Sequence, residues 1–73
     1  MSDEAIFREI RDRLAYAREQ HPEGTEHEHI WDEFQEYLDE DQGTEEERSE
    51  LLDVIVTCIR VIQGGDKRVV ANV

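Results

Sequence analysis

Residues 50–62 read Glu-Leu-Leu-Asp-Val-Ile-Val-Thr-Cys-Ile-Arg-Val-Ile, and whether this run is a helix or a strand decides the fold. Its β-branched residues favour a strand, because branching at Cβ restricts χ1 on a helix and suits a pleated surface. Other features favour a helix. Thr44 followed by Glu47 has the capping-box pattern, in which the hydroxyl and the carboxylate serve backbone N–H groups that the first helical turn leaves open. From Glu45 the chain runs without Gly or Pro to Gln63, which is long for a strand. No second strand-like segment stands ready to pair with it. The run therefore reads as a helix from about Glu45 to Gln63, stopped by Gly64 and Gly65. It is apolar almost all round, and such a helix must be buried all round. Two other helices from so short a chain cannot cover it, so it is expected to form the centre of an interface between copies.

Working towards the N-terminus, a second helix is expected from about Glu26 to Asp41, between a Thr25/Glu28 capping-box pattern and Gly43. Ile30, Phe34 and Leu38 form its stripe, widened by Trp31 and Tyr37. The default reading of these aromatics is core packing, with Trp31 also a candidate to stack on a base. A first helix is expected from about Asp3 to Gln20. Ser2 can cap it, Asp3 and Glu4 suit its positive end, and Pro22 and Gly24 follow it. Its stripe is Ile6, Ile10, Leu14 and Ala17, with Phe7 beside it. The tail from Asp66 to Val73 is too short to assign beyond a short extra turn or a segment packed on a partner. The expected fold is all-α: a single domain over residues 1–73, a three-helix protomer assembling into an intersubunit helical bundle.

At 73 residues the chain is in the range where a lone core rarely suffices. A single cysteine, Cys58, excludes an internal disulfide and reads as a small buried hydrophobe, which suits a reducing, cytoplasmic setting. The start is acidic and lacks the basic region of a signal peptide, and Val54–Ile62 is too short and too interrupted to span a bilayer. The formal charge of −12 is uneven: residues 1–20 carry −1, residues 21–53 carry −13 and residues 54–73 carry +2. Direct binding to a nucleic-acid backbone is disfavoured, because it needs a basic face. The natural partner of the middle is a cation or a basic protein surface.

The acids there fall into a pattern. Glu33 and Glu36 are three apart on the second helix, as are Glu50 and Asp53 on the third. Residues three apart share a helix face, and the short connection makes the helices antiparallel neighbours, so the two pairs can converge. Four such oxygen donors suit a hard divalent cation such as Mg2+, with Mn2+ as a substitute. On spacing alone, such pairs are also ordinary features of a solvated acidic face, and Glu47/Glu50 is another. Asp53 argues for more, since it leads straight into the apolar run, where an unpartnered charge is costly. Arg60, seven residues on, is placed to pair with Asp53 or to reach a phosphate. His27 and His29 are two apart and diverge on a helix, so with His21 they read as solvated rather than as a transition-metal site.

Asp-Glu-Phe-Gln-Glu (32–36) followed, thirteen residues later, by Glu-Leu-Leu-Asp-Val (50–54) resembles the Glu-Glu-x-x-Glu … Glu-x-x-Asp signature of MazG-like nucleotide pyrophosphohydrolases. His-Pro-Glu-Gly-Thr (21–25) is similar to a stretch in small phage-encoded members, and the likeness covers about residues 21–66. The resemblance implies an all-α fold, obligate self-association as a homodimer or homotetramer, and Mg2+-dependent cleavage of a nucleoside triphosphate to monophosphate and pyrophosphate. It makes Glu33, Glu36, Glu50 and Asp53 metal ligands. Glu36 is the candidate to accept the proton of the attacking water, and Arg60, Lys67 and Arg68 are the candidates to meet phosphates. Asp32 stands where the family prefers Glu. Family members usually carry a fourth helix with further substrate contacts, to which only Lys67 and Asn72 could correspond here. The rival readings are a small acidic binding protein, as a DNA mimic or an inhibitor of a basic host protein, and a family scaffold that has lost catalysis.

Overall fold

The computed structural model describes residues 2–65: helices α1 (Asp3–Gln20), α2 (Glu28–Leu38) and α3 (Glu45–Arg60), then a wide π turn over Val61–Gly65. Among the described residues there is no strand, so the β-branched run is helical and the protomer is all-α. The cap decides it. Thr44 accepts a 3.1 Å bond from the Glu47 N–H and donates to the Asp41 carbonyl at 2.7 Å, while Glu47 reaches back to the Gly43 N–H at 2.9 Å. Gly43 has φ +81°, a backbone conformation glycine adopts without strain. Thr57, within the apolar run, donates to the Asp53 carbonyl one turn back at 2.8 Å, so its burial leaves no open donor.

α1 runs over the expected residues, with Ser2 accepting from the Ala5 N–H at 3.2 Å. α2 is shorter at both ends than the expected 26–41, and the Thr25/Glu28 capping box does not form. Thr25 is buried below the helix start, and His27 takes the cap position without a side-chain bond to the backbone. The regular part of α3 ends at Arg60 rather than Gln63, and Gly64, at φ +91°, turns the chain away.

α3 is the central element, with α2 and α1 both packed on it. Arginine side chains tie α1 to α3 at successive levels. Arg48 grips both carboxylate oxygens of Glu9, a bond that holds the Glu9 carboxyl below its ordinary range. Arg13 reaches Asp53 and Ser49. Arg60, itself buried, donates to the carbonyls of Ala17 and His21 at the negative end of α1. Since the α1 partners (9, 13, 17 and 21) and the α3 partners (48, 49 and 53, 60) rise together, the two helices run parallel.

Among the described residues, the fully buried apolar side chains are Leu14, Leu52 and Val56. As expected, the other two helices do not cover α3 on all sides: Leu51 and Ile55 stay exposed at 41% and 39%. The aromatics of α2 are not core either. Trp31 is 63% exposed and forms an outward row with Phe34 and Tyr37, with ring centres 6.2 and 5.8 Å apart. Cys58 is half-buried. Among the described residues, no helix is long and apolar enough to cross a membrane.

Because the cap at Thr44 sets the helical state of α3, Thr44→Ala should lower unfolding free energy by about 1 kcal/mol. Urea denaturation followed by circular dichroism measures this, and an unchanged midpoint would contradict the role given to the cap.

Candidate metal centre

The acidic motifs lie on the facing sides of α2 and α3, with Glu33 on the first and Glu50 and Asp53 on the second. One carboxylate oxygen from each of these three lies within 4.8 Å of the other two, and all three side chains are partly buried. Of the four expected ligands the structure thus gathers three. Glu36 is one turn along α2 from Glu33, hydrogen-bonded to it and exposed. It stands at the rim, within reach of the cluster but outside its tight centre. Asp32 is exposed and also outside the cluster.

Crowding like charges in a partly desolvated place has a direct electrostatic result. Burial, the hydrogen bond with Glu36 and the charges of Glu36, Asp53 and Glu50 push the Glu33 carboxyl up to about 7. Burial, then the charges of Glu36, Asp53 and Glu40, raises Glu50 as well, against a smaller opposing effect of Arg13. A divalent cation would reverse this by giving the oxygens a common counter-charge. The donor set fits one. It is all carboxylate oxygen, the preference of hard cations. Ligand oxygens around Mg2+, at bonds of ~2.0–2.1 Å, stand about 3–4 Å apart. The three oxygens, within 4.8 Å of one another, stand near that spacing.

The cluster opens into a cleft of about 700 Å³ between the C-terminal half of α1, the 21–25 connection and the inner sides of α2 and α3. Glu33 and Asp53 form its acidic wall, and Tyr16, Thr25, His29 and Asp32 line it further along. Arg13 and Arg60 are the cationic side chains that line it. Arg60 does not pair with Asp53 as the spacing suggested. It lies in the floor with donors committed to α1 carbonyls. Lys67 and Arg68 lie outside the described residues. Trp31 is not at the cleft; it faces a separate apolar groove of about 350 Å³ with His27, Ile30, Phe34 and Val54. His21 and His29 line the cleft while His27 does not, so the three histidines do not converge.

The partner of Asp53 is Arg13, which no motif in the sequence marks. Arg13 donates to Asp53 Oδ1 at 2.9 Å, to Ser49 Oγ at 3.0 Å and to the Ser49 carbonyl at 3.3 Å. The available signal was the concentration of four arginines in residues 1–20 beside an intensely acidic middle, which told that α1 offers cations but not which one turns inward. No protein-family model, curated protein or solved structure matches the chain.

The raised Glu33 fixes the sign of a pH effect. Between about 4.5 and about 7 the folded chain keeps a proton that the unfolded chain has released, so this site's contribution to stability falls as pH rises through that window. The melting temperature of cation-free protein should fall between pH 5 and pH 8. Millimolar Mg2+ should restore it at pH 8 and do little at pH 5, as differential scanning fluorimetry reads. A Mg2+ effect equal at both pH values would contradict the assignment.

Proposed function

We propose that the chain is a Mg2+-dependent hydrolase that cleaves a nucleoside triphosphate to monophosphate and pyrophosphate, in the manner of the MazG-like enzymes its motifs resemble. The observation that carries this reading is the convergence of Glu33, Glu50 and Asp53 at the edge of an open cleft large enough for a nucleotide. Bound there, Mg2+ would neutralise phosphate oxygens and set a water in line for attack. Water oxygen adds to the α-phosphorus, the bond to the bridging oxygen of the β-phosphate breaks, and pyrophosphate leaves. Glu36, beside Glu33 and open to solvent, accepts the proton released by the water. Lys67 and Arg68 are assigned to the phosphates, while Arg60 shapes the cleft floor through its bonds to the α1 carbonyls, and the base and sugar lie towards Tyr16, Thr25 and His29.

Self-association belongs to the same proposal. A core of Leu14, Leu52 and Val56 is thin for the chain, while Phe34, Leu38, Leu51 and Ile55 are exposed apolar side chains on the two packed helices. A second copy seated on that face covers α3 on its open side. In that assembly Trp31 is buried by the partner or lent to the partner's cleft.

A second reading has its own observation. Asp39, Asp41, Glu45 and Glu46 around the α2–α3 connection point outward, as a protein recognising a basic surface requires. A catalytically silent scaffold would keep cation and nucleotide binding without turnover.

Incubation with a panel of nucleoside triphosphates and Mg2+ should release pyrophosphate. Glu50→Gln and Asp53→Asn should each lower that rate by about two orders of magnitude. Absence of pyrophosphate from every nucleotide, with nucleotide still bound, selects the silent scaffold. Ile55→Glu should convert the assembly to monomer in analytical ultracentrifugation and lower its melting temperature. A monomeric wild-type protein would remove the second copy from the proposal.

A further inference from the structure

Arg13 projects from α1 into the wall of the cleft and is half-buried there. Its guanidinium is held at several points at once. One nitrogen donates to Asp53 Oδ1 and to the Ser49 carbonyl, and the other donates to Ser49 Oγ. Ser49 precedes Asp53 by one helical turn, so the planar fork is registered against the α3 backbone before it meets the carboxylate. Asp53 therefore has one oxygen fixed from outside the cluster and its orientation set by a neighbouring helix. The Asp53 side chain is 40% exposed, so without that bond solvent would let it turn between rotamers.

We propose that Arg13 is the positioning residue of the metal centre, aiming the Asp53 carboxylate at the cation while touching neither cation nor nucleotide. The inference rests on the cluster being a cation site. The position has a cost, because a positive charge beside a cation repels it. Two effects of opposite sign thus meet in one residue. Charge alone makes Arg13 unfavourable for cation binding, and orientation makes it favourable. Metal sites commonly depend on such hydrogen-bonded partners of their ligands, whose removal weakens metal affinity by roughly 10–100-fold.

The opposition of signs makes the role testable without any catalytic assay. Mn2+ is titrated into nucleotide-free protein at pH 7.5 and followed by electron paramagnetic resonance and calorimetry. Arg13→Lys keeps the charge and loses the fork; it should weaken Mn2+ binding about tenfold. Arg13→Gln removes the charge as well and should still bind more weakly than wild type. Ser49→Ala removes one anchor and no charge and should weaken binding by a smaller factor. This variant keeps the test decisive if Arg13→Lys fails to fold. Circular dichroism and melting temperature report the purely structural contribution of the α1–α3 tie, which leaves the Mn2+ affinity of folded protein unchanged. Lys and Ala variants that bind Mn2+ as wild type does, or a Gln variant that binds it more tightly, overturn the positioning role. Wild-type protein that takes up no Mn2+, with Glu50→Gln making no difference, overturns the metal centre and the role of Arg13 with it.

Discussion

Carboxylates confined to a few ångströms on two packed helices are the constraint to which the rest of this molecule answers. Glu33, Glu50 and Asp53 come together because the same short connection that makes α2 and α3 neighbours also turns both acidic motifs inward. Their mutual repulsion and loss of water oppose that packing, and the chain resolves the opposition in part by holding Glu33 protonated to about neutral pH. A helix hairpin under such strain needs a brace, and α1 supplies it. Arg13 faces the cluster directly, while Arg48 with Glu9 and Arg60 with the end of α1 fix the levels above and below. The brace offsets the crowded charges only in part, through the bond to Asp53 and a smaller effect on Glu50.

The apolar architecture is economical in a way that fits the same picture. One chain buries little, and exposed apolar side chains stand on all three helices: Phe7 and Tyr16 on α1, Trp31, Phe34 and Leu38 on α2, and Leu51 and Ile55 on α3. α3 is apolar all round because it has two kinds of neighbour to satisfy: α1 and α2 within the chain, and on the proposed reading a second copy beyond it.

Much of this was legible in the residues. The helical state of the β-branched run followed from Thr44 and Glu47, whose cap outweighs the strand preference of Val54 to Val56. The pairing of Glu33 with Glu50 and Asp53 followed from i, i+3 spacing and a short connection. What was not legible depends on three-dimensional competition. Thr25 has the sequence of a cap, yet its side chain is taken by burial, and α2 begins at Glu28. Arg60 has the spacing to meet Asp53, yet the open carbonyls at the end of α1 hold it instead. Arg13 carries no local signal at all, because its role arises from a contact forty residues away along the chain. The α2 aromatics follow a core pattern, yet within the chain Trp31 and Phe34 stay exposed.

The helices are not fastened alike. α1 is latched to α3 by arginines, whereas α2 has no fully buried side chain and sets its Glu33 carboxylate against those of α3. α2 is therefore the leaf of the molecule whose packing the crowded carboxylates work against. The leaf carries Glu33 and Glu36, and it is pushed outward by the charges it faces. On the proposed reading, the ion that serves the chemistry is also the clasp that shuts this leaf. Loading the site and finishing the fold are then a single event, and the cation content of the surroundings sets how much of the protein is a completed object.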